Sequence, residues 1–175
     1  MSVRDITGVV GIKESSLYKH FRSKEEILDT IFDYFLSEMQ KVQPPPGIKE
    51  IMGSIPPATF LERSFRVFLK YADTPMMAKI YRIIVIEQFR NPRARDILLG
   101  LYRGPVEAME RYFREAADKG IIKEVDPQTL AVAYQYALHA LVAEYSILKS
   151  YHMDTGVIQE RISNHIQFIG NLVAK

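Results

Sequence analysis

The side chains able to do chemistry are unevenly spread along the 175 residues. Bond-making chemistry needs acids, imidazoles or thiols brought together in a recognisable order, and the sequence offers no such set. The four histidines (His20, His139, His152 and His165) are scattered, cysteine is absent, and neither an HExxH pair nor a glycine-rich phosphate loop occurs. Glu144 near His139 is an isolated lead. The expectation is therefore a protein that is not an enzyme and uses no cofactor or metal, with no disulfide framework. The densest cluster of polar side chains is Lys13, Glu14, Ser15, Ser16, Tyr18, Lys19, His20 and Lys24. Ammonium, hydroxyl, phenol and imidazole groups are the donors that phosphate oxygens accept. Residues 1–24 hold five basic side chains against two acidic ones, a local +3 before His20 is counted, although the whole chain carries only +2.

Something must hold this cluster in place, and the surrounding pattern is helical. Ser2 with Asp5 opens a short helix to about Val10, Gly11 stops it, and a second short helix covers roughly residues 13–21. Ser23-Lys-Glu-Glu26 is a capping box that starts a third helix reaching about Val42, with Ile27, Leu28, Ile31, Phe32, Phe35 and Met39 at helical spacing. Two short helices joined by a glycine turn and followed by a third form a helix-turn-helix arrangement, whose second helix suits the major groove of DNA. Leu17 and Phe21, four apart, can face Ile6, Val10 and Ile12 as a small core. Lys13, Glu14, Ser15, Ser16, Tyr18 and Lys19 are left on the outer face, where a groove-bound helix meets base edges.

The run SVRDIxxxVGIxxxSLYKHFRSKEEIL resembles the helix-turn-helix signature of the TetR family of transcriptional regulators, almost continuously over residues 2–28. The resemblance implies that Arg4 reaches DNA from the first helix, that Lys13, Glu14, Ser15, Ser16 and Lys19 approach bases or nearby phosphates, and that Tyr18, His20 and Lys24 match backbone-contacting positions. It implies double-stranded operator DNA as a partner, a homodimer to read a palindrome, release by a small apolar or amphipathic effector, and a cytoplasmic address. TetR-type DNA-binding modules have a further helix before the segment that opens at Ser2, so Ile6, Val9 and Phe21 are expected to be partly uncovered. A helical, dimeric ligand-binding protein without DNA binding is the alternative this departure leaves.

The remainder reads as an all-α module. Residues 43–57 contain five prolines and two glycines and are expected to link the reading head (1–42) to a helical ligand-binding and dimerising region (58–175). Helices are expected at about 58–72, 75–89, 93–119, 127–151 and from 155 onward, with Pro75, Pro92 and Pro127 near their starts and Gly120 as a left-handed stop. Pro105 should kink or break the longest of them and so mark a moving part. No run approaches the 18 apolar residues of a membrane span. Small residues alternate with Leu and Tyr between Leu130 and Leu148, and Ile158, Ile162, Ile166, Ile169 and Val173 form a stripe. Leu138, Leu141, Tyr145, Ile158, Ile162, Ile166 and Ile169 are thus candidates for a dimer interface, with burial in the chain's own core as the competing reading. Met77, Tyr81, Tyr102, Met109, Tyr112, Phe113, Tyr136, His139 and Glu144 are candidates for lining an apolar cavity with polar handles.

Overall fold

The computed structural model describes residues 7, 8, 11, 13–41 and 54–175. These form an all-α protein, without strands among the described residues. Seven helices follow in order: α1 (Glu14–Tyr18), α2 (Lys24–Gln40), α3 (Pro57–Ala72), α4 (Pro75–Glu87), α5 (Pro92–Asp118), α6 (Pro127–Ser150) and α7 (Gly156–Val173). The expected first helix over Ser2–Val10 and the proline-rich link lie mostly or wholly outside the described residues.

Local chemistry sets the ends. Thr74, Asn91 and Asp126 each turn a side-chain oxygen onto an amide of the next helix's first turn: Met77 N donates to Thr74 at 3.4 Å, Arg93 N and Ala94 N donate to Asn91 at 2.9 and 3.2 Å, and Thr129 N donates to Asp126 at 3.1 Å. Each is followed by a proline that needs no amide partner there. At the far end of α5, Gly120 takes φ +67°, and the amides of Gly120 and Ile121 close back onto Ala117 and Ala116 at 2.8 and 2.9 Å, a Schellman stop. His152 takes the same left-handed conformation, φ 55°, at the end of α6, with Met153 N donating to Leu148 O at 3.0 Å.

Two apolar clusters result. One gathers Phe60, Leu61 and Phe65 of α3, Phe113 and Ala116 of α5, Leu130, Ala131, Tyr134, Leu138 and Tyr145 of α6, and the whole isoleucine stripe of α7. The other joins Phe32 and Phe35 of α2 to Met77, Ile80 and Ile84 of α4 and Ala94, Ile97 and Leu98 of α5. Helix α5 is the shared beam, its first half in one cluster and its second half in the other. It runs through Pro105 as one helix, so of the expected kink or break the break does not occur. A proline costs one backbone hydrogen bond and a clash with the preceding turn, on the order of 3 kcal/mol, and burial at both ends of a 27-residue helix outweighs that. Among the described residues no helix is long and apolar enough to cross a membrane.

Candidate nucleic-acid interface

Gly11 holds φ +73°, a conformation that side-chain-bearing residues rarely adopt, and its amide donates to Thr7 O at 2.9 Å. That turn reverses the chain into Lys13, whose extended backbone precedes α1. Helix α1 buries none of its residues. Leu17 and Phe21 are half-buried on its inner side, and the amides of His20 and Phe21 both close onto Leu17 O at 2.9 Å. The opposite side is open: Lys13, Glu14, Ser15, Ser16, Lys19 and His20 are exposed, and Tyr18 retains 51% of its surface. Lys24, at the first position of α2, is half-buried. Seven of the nine expected DNA-contacting residues are thus exposed around this short helix and its ends, and Lys24 is half-buried. Arg4, Ile6, Val9, Val10 and Ile12 lie outside the described residues, while Phe21 is partly uncovered as expected.

The start of α2 is built as its sequence implies. Ser23 accepts from Glu26 N at 3.3 Å, and the Glu26 carboxylate accepts from the amide of Arg22, one residue earlier than the reciprocal bond of an ideal capping box. Hydrogen bonds from its own backbone amide and from Ser23 hold the Glu25 carboxyl below the usual carboxylate range. Further along α2, Asp29 and Asp33 both receive the Arg93 guanidinium from the first turn of α5. Nη1 donates to Asp29 Oδ1 at 3.0 Å, and Nη2 donates to Asp33. These bonds push Arg93 above its ordinary value, with Asp29 contributing most. Sequence reasoning missed this joint. Its one trace was a pair of like charges at i and i+4 on α2, an arrangement that calls for a cation from elsewhere.

The expected dimer-interface residues are placed differently. Ile158, Ile162, Ile166, Ile169, Leu138 and Tyr145 are buried within the single chain, and Leu141 is packed against the same cluster. The correction has a simple cause: α3 lies against α7 so closely that this stripe has no room for a second chain. A Cβ on Gly170 would stand 2.3 Å from Ala58 Cα. Tyr145 also donates its hydroxyl to Asp73 at 3.0 Å, beside the Lys149 ammonium on the same carboxylate oxygen.

The expected pocket residues do not surround one cavity either. Met77, Tyr81 and Tyr102 belong with the α2–α4–α5 cluster, and Met109, Tyr112 and Phe113 with the other. Burial raises the phenols of Tyr81 and Tyr112 above their ordinary value. Tyr112 stacks on Phe60 at 4.1 Å between ring centres, so its space is filled. His139 lies 5.0 Å from the Tyr102 ring and bonds Gln135 O, Tyr136 is exposed, and Glu144 faces Arg161 at 3.6 Å on the surface. A groove of about 500 Å³ at the α4–α5 turn includes Tyr102 as its one member of the expected set. Among the described residues, no three His, Asp or Glu side chains are grouped as a metal ion would require.

A short, largely exposed helix held between a glycine turn and a capped, core-anchored helix defines a helix-turn-helix protein with an all-α body. Residues 1–35 match the family described as bacterial regulatory proteins, tetR family. No curated protein matches the chain. A solved structure from Mesorhizobium loti MAFF303099, described as a TetR-family transcriptional regulator, shares the fold with a TM-score of 0.64 at 14% identity. The alignment covers 100% of this chain and 87% of that one.

Proposed function

We propose that the protein is a TetR-type regulator that binds double-stranded operator DNA as a dimer, acts as a repressor, and is released by a small-molecule effector. It works by binding and not by catalysis. The observation that carries this reading is the strip from Lys13 to His20, seven polar or ionisable side chains exposed on a helix that buries nothing. A largely exposed element and a family match over residues 1–35 suit recognition, with Tyr18, His20 and Lys24 on phosphates and Lys13, Glu14, Ser15, Ser16 and Lys19 nearer the bases.

A second set of stripes supports dimerisation. Val132, Tyr136 and Ile147 stand exposed on the outer side of α6, and Val157, Phe168 and Leu172 on the outer side of α7. They keep helical spacing, and two copies of such a helix pair would bury them as a four-helix interface about a two-fold axis. Retardation of the DNA upstream of the gene tests the reading. Binding should weaken steeply as salt rises, and Lys19→Ala should reduce the dependence of log affinity on log salt by roughly one unit per reading head. Retardation that ignores salt and survives this substitution would sink it.

A further inference from the structure

The groove at the α4–α5 turn has core residues, Leu98 and Tyr102, as its floor and a rim, Phe89, Arg90, Arg95 and Leu99, that no DNA contact or core position explains. Its wall is apolar: Leu98 is buried, Leu99 and Tyr102 are partly open, and Phe89 stands at the edge with 91% of its surface exposed. An aromatic ring left almost wholly in water beside a concavity lacks an apolar partner. The groove also has a cationic end. Arg95 is occupied by Asp96 at 2.8 Å, whereas Arg90 has no carboxylate partner among the described residues. The first amides of α5 add little to that end, because Asn91 already accepts from Arg93 N and Ala94 N. Free positive charge in the groove therefore rests on Arg90. The volume of about 500 Å³ falls within the range of small-molecule sites and is too small for a protein segment of any length.

We propose that this groove binds a small amphipathic anion, an aromatic or acyl carboxylate or its like. Arg90 takes the anionic group while Leu98, Leu99, Tyr102 and Phe89 cover the apolar body. As the effector site of the regulator, it rests on the function proposed above. Its position suits that role. Asn91 and Pro92 line the groove, and the next residue, Arg93, holds Asp29 and Asp33 of the helix that follows the reading head. A ligand that displaces the first turn of α5 acts directly on that joint.

Two probes with one ring system separate charge from apolar surface: 1-anilinonaphthalene-8-sulfonate and the uncharged N-phenyl-1-naphthylamine. Titrated into the full chain without DNA, the sulfonate should occupy one site per chain. Arg90→Gln should weaken it by about tenfold or more, through loss of the charge-assisted contact, and leave the neutral probe unchanged. Phe89→Ala should weaken both, and Arg111→Gln, an exposed arginine elsewhere on α5, should weaken neither. Equal affinity of the two probes, an unaltered sulfonate affinity in Arg90→Gln, or no saturable binding each overturns the site. Because the titration contains no DNA, its failure leaves operator binding standing. Loss of salt-sensitive retardation would sink the regulator reading and leave the titration to decide the groove.

Discussion

Gly170 in α7 offers a prediction whose sign separates packing from propensity. Alanine is a better helix former than glycine by about 1 kcal/mol, so an unobstructed Gly→Ala change inside a helix stabilises. At position 170 the new methyl would lie 2.3 Å from Ala58 Cα, 2.4 Å from its Cβ and 2.5 Å from its amide nitrogen. Carbon atoms at rest stand about 3.5–4.0 Å apart, so α3 and α7 would have to part by about 1 Å. The obstacle is backbone and cannot rotate away. A gap of that width forfeits roughly a quarter to a half of the dispersion between the facing side chains, here Phe60, Phe65, Ile162, Ile166 and Ile169. Overpacking of this kind costs about 1–3 kcal/mol, and a rigid obstacle belongs at the upper end. Less the gain in propensity, Gly170→Ala should destabilise by about 2 kcal/mol, or roughly 4–8 °C in Tm for a chain of this size. Gly100→Ala in α5, where no heavy atom stands within 4 Å of the added carbon, is the control and should raise Tm by roughly 2 °C. Thermal unfolding followed by circular dichroism at 222 nm, with urea midpoints beside it, measures both. A Gly170→Ala protein as stable as Gly100→Ala would refute the close approach of α3 and α7.

Four further outcomes are expected. His152 pays for a left-handed backbone without being glycine, so His152→Gly should raise stability by about 1 kcal/mol, seen as a higher urea midpoint at unchanged slope. Gly11→Ala should strain the turn before α1 by about 1–2 kcal/mol and weaken DNA binding while the melting of the α3–α7 body stays put, because a Cβ at Gly11 would meet no heavy atom within 4 Å. The Asp126 carboxyl is held below its ordinary value, first by its hydrogen bond with the Thr129 side chain and then by the Thr129 amide. The depressed folded-state value means that its stabilising effect is complete above the unfolded-state pKa and is lost as pH falls through the folded one, so Asp126→Asn should lower stability at pH 7 and flatten the acid limb of a stability–pH curve below about pH 4, where the two proteins converge. Arg93→Gln should leave Asp29 and Asp33 repelling each other on one turn of α2, with amide exchange there speeding by roughly threefold or more and α6 and α7 unaffected; equal protection in both proteins would show that the joint holds nothing.

What could be read from the sequence follows from where each determinant lies. Helix ends were legible because Thr74, Asn91 and Asp126 act on amides two or three residues away, and the prolines beside them act on a single bond. The faces were harder. Helix α6 carries two apolar stripes, one through Leu130, Tyr134, Leu138 and Tyr145 and another through Val132, Tyr136 and Ile147. Periodicity identifies both and cannot say which meets α3, α5 and α7, since that depends on partners on other helices. The same limit misassigned the isoleucines of α7, and it dispersed the aromatic side chains that composition alone had gathered into a pocket. Pro105 fails in the opposite direction, where a strong local rule yields to burial at the two ends of one helix.

The reading head obeys neither limit, and the reason bears on function. Helix α1 is five residues long and buries none of them, so no distant partner selects which of its faces points outward. Its position is owed to a glycine with positive φ on one side and a capped serine on the other, both within a few residues. Tertiary packing reaches it through α2, whose Phe32 and Phe35 seat it against α4 and α5 and whose Asp29 and Asp33 meet Arg93. A segment free of packing duties can vary its outward side chains without cost to the core, which is what a recognition surface requires. Any signal that changes how α5 holds α2 then reaches the residues from Lys13 to His20 through α2.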